Sequence, residues 1–255
     1  MKILFFACLV FVSFLSSFAM AKARSGPVKV LYLETGWVTT DDQIIVPQFL
    51  QTLKSYDLQI TRSATYINDF DGSQLTQGQF DVIYYADRGQ GDYIKIKEAA
   101  QVAIRDFVNQ GGTFVHEAGF PNLVAANPSL YKTMRELLLF DTSTESCQCY
   151  FSFIPSPESQ AGLSFFKRIS MNPLDNFECI LEYRNGLMHA FAENPAELAV
   201  QNTTFASSKD MVAVRKVGAG RVVGINFRFY FDVQACKAQG KDFLQFYANL
   251  LHYGY

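Results

Sequence analysis

The stretch GGTFVHEAGF, residues 111–120, decides the fold of this chain. The two glycines are typical of a helix end, TFVHE is a short run rich in β-formers, and Ala118-Gly119 follows as a turn. In many α/β enzymes a strand that enters such a sharp turn carries the nucleophile. Here the bend contains no Ser, Cys or Thr, and Glu117 occupies it. The stretch therefore predicts an α/β fold whose customary reactive position is altered.

Strands and helices are predicted to alternate on both sides of this stretch. The predicted strands are VKVLYLE (28–34), LQITRS (58–63), FDVIYYA (80–86) and TFVHE (113–117). The clearest helix precedes TFVHE, with seven apolar residues on one face: Ile96, Ala99, Ala100, Ala103, Ile104, Phe107 and Val108. We also expect a helix with Pro47 near its first turn, and one capped by Ser129 that runs through Leu139. Such alternation is typical of a mostly parallel sheet with helices on both faces.

The first 21 residues have the pattern of a secretory signal peptide. Lys2 precedes an apolar run, and Ala19-Met20-Ala21 forms a small-residue cleavage site. An uncleaved membrane anchor is the alternative, because the apolar run approaches a bilayer-spanning length. We predict cleavage after Ala21, a mature domain over 22–255, a secreted or periplasmic location and no membrane association after cleavage.

Composition and missing motifs exclude several functions. The chain is 49% hydrophobic and 18% charged, which suits one globular domain. Loss of Lys2 with the leader changes the net charge from −2 to −3, which offers no footprint for nucleic acid. Gly89-Gln90-Gly91 lacks the third glycine of a dinucleotide site, and His116-Glu117 lacks the second histidine of a helical zinc site. We expect no cofactor and no metal.

Four cysteines remain after the leader: Cys147, Cys149, Cys179 and Cys236. An even number in an exported chain favours two disulfides, with three possible pairings. Metal binding by Cys147-Gln148-Cys149 is the less favoured alternative. Because aromatics, prolines and three of these cysteines crowd the region, we predict an irregular, disulfide-pinned insertion over about 141–200.

The chain regains its regular pattern after residue 210. MVAVRKV and RVVGINF flank Gly218-Ala219-Gly220, which predicts a hairpin. A last amphipathic helix carries Phe243, Phe246, Tyr247, Leu250 and Leu251 on one side.

FVNQGGTFVHEAG, followed much later by GAGRVVGINFRFYF and a C-terminal helix, resembles the class I glutamine amidotransferase-like superfamily. The resemblance implies a flavodoxin-like α/β core. Active members read roughly G-I-C-L-G at the elbow and G-V-Q-F-H-P-E-F in a late strand. Alignment puts Glu117 at the cysteine, Arg228 at the histidine and Tyr230 at the glutamate. The trehalose-utilisation-like branches look most similar, because they also lack the cysteine.

The aligned residues cannot perform the family's chemistry. Covalent attack on an amide needs a thiolate activated by a base, and a carboxylate and a guanidinium do not supply one. The resemblance thus implies that glutaminase activity is absent. Glu117 and Arg228 could instead form bidentate charge-assisted hydrogen bonds with each other or hold a ligand.

Ligands of open α/β sheets bind beyond the carboxyl ends of the strands. The candidate ligand-binding residues at those ends are Glu34, Trp37, Asp87, Arg88, His116, Glu117, Arg228 and Tyr230. Alternation along a strand allows only one of His116 and Glu117 to face the site, and we favour Glu117. Glu117 satisfied by backbone donors or by Arg228, with no ligand, is the structural alternative. Trp37 could stack on a sugar ring or simply cover the core, and Asp87-Arg88 could be a solvated loop pair.

Three functions remain open. The favoured one is a binding domain that recognises a small polar ligand, such as a saccharide, or a protein partner in the relic pocket. The alternative is a sugar isomerase or epimerase with Glu117 as general base. In the third, the cysteine-rich insertion binds a protein and the pocket is inert.

Overall fold

The computed structural model describes most of the chain after the leader. The described residues are 26–35, 40–76, 78–86, 95–117, 120, 123–124, 127–139, 146–149, 152–170, 174–175, 181–184, 196–202, 210–225, 227–228 and 240–255. Side chains are not described for 40–46, 146–149, 152–153, 174–175, 181–184, 202, 210, 227–228 and 240.

The described part contains twelve strands and four α-helices. The strands are β1 (Val28–Glu34), β2 (Leu58–Arg62), β3 (Val82–Ala86), β4 (Thr113–His116), β5 (Ser146–Cys149), β6 (Ser152–Pro155), β7 (Leu174–Asp175), β8 (Leu181–Arg184), β9 (Glu197–Asn202), β10 (Asp210–Val217), β11 (Gly220–Ile225) and β12 (Phe227–Arg228). The helices are α1 (Thr40–Leu53), α2 (Glu98–Asn109), α3 (Gln160–Phe165) and α4 (Gly240–Leu251). Two 3-10 segments cover Lys54–Tyr56 and Lys132–Leu137.

Nine of the described strands form one sheet in the order β2-β1-β3-β4-β11-β10-β9-β6-β7. The first five strands run parallel, and their order is the flavodoxin-like 2-1-3-4-5 order. From β11 onward the sheet continues with antiparallel strands. The predicted flavodoxin-like α/β class is confirmed, with an antiparallel extension that makes the whole sheet mixed.

Helices cover both faces of the sheet, as predicted. One face packs Tyr32, Tyr84 and Val115 against apolar residues of α1, α3 and α4. The other face packs Leu31, Ile83 and Phe114 against α2 and the 3-10 segment Lys132–Leu137. Because parallel strands buried on both sides must be apolar throughout, β3 is buried at all five of its positions.

The hairpin between β10 and β11 is confirmed, and a close contact fixes it to α2. Gly218 has φ +57°, a left-handed conformation that glycine adopts without strain. A Cβ built on Gly220 would lie 2.1 Å from the Val108 carbonyl oxygen and 2.2 Å from that of Gly112. The start of β11 therefore lies directly against the end of α2, where only glycine fits.

Two helices differ from the sequence-based expectation. Pro47 lies inside α1 and not near its first turn, because the helix begins earlier at Thr40, where Asp41 and Asp42 suit a helix N-terminus. The predicted helix from Ser129 through Leu139 is not an α-helix. This segment forms turns and a 3-10 helix preceded by Tyr131.

The region 141–200 is also more regular than expected where it is described. Within it, β6, β7 and β9 extend the main sheet and α3 packs on that sheet, because its apolar positions suit strands and a short helix. β5, β8 and β12 form a separate three-stranded antiparallel sheet. No disulfide is present in the described part. Cys147 and Cys149 lie in β5 without described side chains, and Cys179, Cys236 and the predicted leader lie outside the described residues, so the disulfides and cleavage stay predictions.

The fold predicts that a cavity in the core under α2 lowers the free energy of unfolding. Ile104 is fully buried between α2 and the sheet, so Ile104→Ala is expected to lower the free energy of unfolding by about 2–5 kcal/mol. The control is Gln110→Ala at an exposed position after the helix, with an expected change below about 0.5 kcal/mol. Urea denaturation measures both, and equal losses would contradict the assignment of the core.

Candidate functional site

Three parallel strands bring two glutamates into one row at their carboxyl ends. Glu34 pairs in register with Ala86. Tyr85 pairs with His116, so the next residues, Ala86 and Glu117, lie beside each other. Alternation places all three on the face that carries Tyr32, Tyr84 and Val115. Two strand spacings separate the glutamate backbones, or about 10 Å.

This row lies at the topological switch point of the sheet. The chain passes from β1 to β2 on one side and then to β3 on the other, so the strand order reverses between β1 and β3, beside Glu34 and Ala86. Ligands of open α/β sheets bind outside the strand ends at such a point. A ligand site at this edge of the sheet stays a prediction.

Glu117 is a buried carboxylate held by a tyrosine. It is 1% exposed, and the hydroxyl of fully buried Tyr84 donates a short hydrogen bond to its Oε1. Burial, together with the nearby negative charge of Glu117, raises the pKa of Tyr84 well above its usual value of 10. Tyr84 thus stays protonated and remains a donor to the carboxylate. The ring of Tyr84 is fixed by Tyr32 and Tyr247, at centroid distances of 5.4 and 5.3 Å.

Glu34 is also buried, and an arginine binds one of its two carboxylate oxygens. It is 3% exposed, and Arg62 Nε donates to Oε1 at 2.5 Å. Arg62 Nη2 contacts the same oxygen. Oε2 is buried and has no hydrogen-bond partner in the part of the chain that the structure describes. One carboxylate oxygen of Glu34 is therefore held by Arg62, and the other lacks a donor among the described residues.

His116 lies on the opposite face of the sheet from Glu117. Its ring packs among Phe114 and Phe120, at centroid distances of 5.8 and 4.8 Å, and Nδ1 is 3.2 Å from the Glu117 carbonyl oxygen. Burial lowers the pKa of His116 from 6.5 to about 3. The neutral imidazole therefore lies in an aromatic core on the face opposite to Glu117, and the preference for Glu117 as the ligand-facing residue stays a prediction.

The positions of several predicted site residues stay predictions. Trp37, Asp87, Arg88 and Tyr230 lie outside the described residues. The backbone of Arg228 pairs with Glu182 in the small sheet, and its side chain is not described. Since β11 runs beside β4, the chain leaves the main sheet next to Glu117 and reaches Arg228 three residues after Ile225. Pairing of Glu117 with Arg228 stays a prediction.

Tyr84 and Arg62, the partners of the two glutamates, were not predicted from the sequence. Tyr84 was hidden in an apolar strand, and only the register of β3 against β4 shows that its hydroxyl reaches Glu117. Arg62 ends β2, whose pairing with β1 aligns it with Tyr32, two residues before Glu34. A charged residue at the end of a predicted parallel strand was the available signal.

Away from the glutamate row, the described chain has a cavity, but no metal-type side-chain cluster and no membrane-spanning helix. A partly open cavity of about 310 Å³ lies at the opposite edge, near the starts of β3 and β4, and its lining includes Asp81, Asp106 and Tyr255. Among the described residues, no three His, Cys, Asp or Glu side chains are grouped to hold a metal. In the described ranges, no helix combines the length and apolarity needed to cross a membrane.

Comparisons with known proteins identify the fold. No known protein family matches the sequence, and no curated protein matches it. A ThuA-like protein from Bacteroides uniformis superposes with a TM-score of 0.51 at 12% identity, over 91% of each chain. The carbohydrate deacetylase Agd3 gives 0.56 at 9% identity, and a β-galactosidase from Bacillus circulans gives 0.50 at 14%.

The extent of the matches differs between these proteins. The match with each carbohydrate enzyme includes 89% of this chain. It includes only 33% of the deacetylase and 31% of the β-galactosidase. It therefore resembles about one third of those enzymes. ThuA-like (trehalose-utilisation) proteins have the glutamine amidotransferase-like fold, so the likeness shows that this chain folds in the same way.

Removal of the Tyr84 hydroxyl tests the anchoring of Glu117. Tyr84→Phe removes a donor from a buried carboxylate and is expected to lower the free energy of unfolding by about 1.5–3 kcal/mol. Tyr56→Phe, which loses only an exposed hydrogen bond to Lys241, is the matched control with little change. Urea denaturation compares them, and a Tyr84→Phe protein as stable as the control would rule out the anchor.

His116 predicts an acid-dependent loss of stability. The unfolded chain binds a proton at this residue below pH 6.5, whereas the folded chain does not until about pH 3. The unfolded state thus binds more protons in this window, and the free energy of unfolding falls by up to about 1.4 kcal/mol per pH unit as the pH drops.

The substitution His116→Phe should remove this contribution, while His252→Phe, at a half-buried position, should retain it. Urea denaturation at a series of pH values from 7 to 4 measures the slopes. An unchanged slope in His116→Phe would show that the loss arises elsewhere.

Proposed function

We propose that this chain is an exported α/β domain that binds a small polar ligand, a saccharide, at the carboxyl edge of its parallel strands. The observation that carries the proposal is the row of buried glutamates at the switch point of the sheet. Glu117 is the central acceptor, and Tyr84 positions it.

The residues of this row suit the recognition of hydroxyl groups. Saccharide hydroxyls donate hydrogen bonds, and bonds to a charged carboxylate are about twice as strong as those between neutral groups. The buried setting favours such bonds, because competing water is scarce. The carbohydrate deacetylase, the β-galactosidase and the ThuA-like protein that share the fold also support a saccharide-related ligand. Trp37, at the end of β1, is the proposed stacking residue for a sugar ring.

Binding is favoured over turnover by the contact that holds Glu117. The Tyr84 hydroxyl donates to the carboxylate, and a hydrogen bond of this kind favours the charged form over the protonated one. The charged carboxylate is itself the proton-accepting form, and a hydrogen bond that stabilises it makes it a weaker base. We therefore propose an acceptor role for Glu117 and not that of a general base. Glutaminase activity is proposed absent, because a glutamate at the aligned cysteine position offers no thiolate.

Two further features belong to the same proposal. Export follows from the signal-peptide pattern of residues 1–21, and an oxidising compartment would allow disulfides among Cys147, Cys149, Cys179 and Cys236. Arg228 is proposed to act at the same edge as Glu117, as its position after β11 allows.

A thermal-shift screen of neutral, amino and acidic saccharides on the mature chain tests the proposal. A ligand that binds only the folded state at 100 times its dissociation constant stabilises that state by about 2.7 kcal/mol, which raises the melting temperature. Glu117→Gln should weaken binding of the active compound about tenfold, while Glu98→Gln at an exposed position should not.

Two outcomes would overturn the proposal. If no saccharide raises the melting temperature of the unaltered chain, saccharide binding is wrong. If the unaltered chain converts a sugar and Glu117→Gln loses turnover by orders of magnitude while still binding, the protein is an enzyme with Glu117 as its base.

A further inference from the structure

Glu34 has an acceptor that the described protein leaves unused. Its carboxylate is 4% exposed, and both guanidinium contacts of Arg62 fall on Oε1. Oε2 is buried without a hydrogen-bond partner among the described residues. Buried carboxylate oxygens without a donor are costly, and native structures rarely keep them without a reason. A hydrogen-bond donor on a ligand at this edge of the sheet would satisfy such an oxygen.

The position of Glu34 connects this oxygen to the Glu117 row. Glu34 is the last residue of β1, at the switch point, with Ala86 beside it and Glu117 on the next strand. Ala86, which lies between the two glutamates, has the smallest side chain of the three. A ligand about the size of one sugar ring can therefore meet both carboxylates, whose backbones are about 10 Å apart.

The charges of the described groups select the kind of ligand. Glu34 and Glu117 are acceptors, Tyr84 already donates to Glu117, and Arg62 is occupied by Glu34. Among these described groups, Oε2 of Glu34 is therefore the acceptor that lacks a donor. A ligand carboxylate or phosphate would meet repulsion there, whereas hydroxyl and ammonium groups would donate to the free oxygen.

We propose that Glu34 Oε2 is the specificity acceptor of the saccharide site, and that the site takes neutral or amino sugars and rejects acidic ones. This inference rests on the proposed function and adds the ligand class. Arg62 contacts only the other oxygen, Oε1, and has no direct part in binding.

Isothermal titration with three sugars of one ring type tests the ligand class on the unaltered protein. Glucose and glucosamine are expected to bind, and glucuronate is expected to bind at least tenfold more weakly than glucose. Equal or tighter binding of glucuronate overturns the inference while leaving saccharide binding intact. If none of the three binds but another sugar raises the melting temperature, the same comparison is made with that sugar and its acidic derivative.

Variants test the named oxygen. In E34Q the amide oxygen faces Arg62 and the amide nitrogen takes the place of Oε2, so binding of the neutral sugar is expected to weaken about tenfold. R62Q removes the same ion pair by changing the arginine, and it keeps Glu34 Oε2. Because one third of the Arg62 side chain is exposed, binding of the neutral sugar is expected to stay within about threefold.

Equal losses of sugar affinity in E34Q and R62Q would assign the effect to the ion pair. Unchanged affinity in E34Q would exclude Glu34 from the site. Either result overturns the inference. Circular dichroism confirms that each variant is folded, and the comparison of glucose with glucuronate on the unaltered chain decides the question if E34Q does not fold. Failure of every sugar to bind the unaltered chain instead overturns the proposed function together with the inference.

Discussion

The parallel pairing of β4 with β3 on one side and β11 on the other is the constraint on which the site depends. β4 contributes only four residues, all buried, yet its register fixes which residues of three strands lie side by side. A shift of one residue would exchange the faces of His116 and Glu117. The carboxylate would then lie on the apolar face that packs against α2, away from the Tyr84 hydroxyl. The cost of burying a carboxylate without its donor opposes that exchange.

Within this frame, the two glutamates are held in different ways. Glu117 is deep in the sheet and receives its donor from Tyr84, a neutral group that needs no counter-charge. Glu34 is at the end of β1 and is held by a cation that is partly exposed to solvent. Removal of one partner from a buried charged pair is costly, because the remaining charge is left without compensation. The two residues therefore differ in how strongly their partners affect stability, and a screen of variants can separate binding from folding.

The sequence predicted the central strands, the helices on both faces, the β10–β11 hairpin and the apolar face of α4, because each depends on local periodicity and turn chemistry. It did not predict the strand contacts at long sequence separation. Tyr84 and Glu117 are 33 residues apart, and Glu34 and Arg62 are 28 apart, so only the register of the sheet brings them together. The start of α1 and the 3-10 segment after Ser129 were also missed, since propensity alone sets helix limits poorly. The regular strands within 141–200 were obscured by the cysteines and prolines of that region.

The opposite orientations of His116 and Glu117 have a consequence for proton movement. The sheet separates the imidazole from the carboxylate that follows it in sequence, and the imidazole stays neutral down to acid pH. No relay can run between these two side chains. Any proton delivered to Glu117 must come from the solvent side of the crevice or from the bound molecule itself, so a designer who wished to install acid–base catalysis here would have to bring the second titrating group from a different strand.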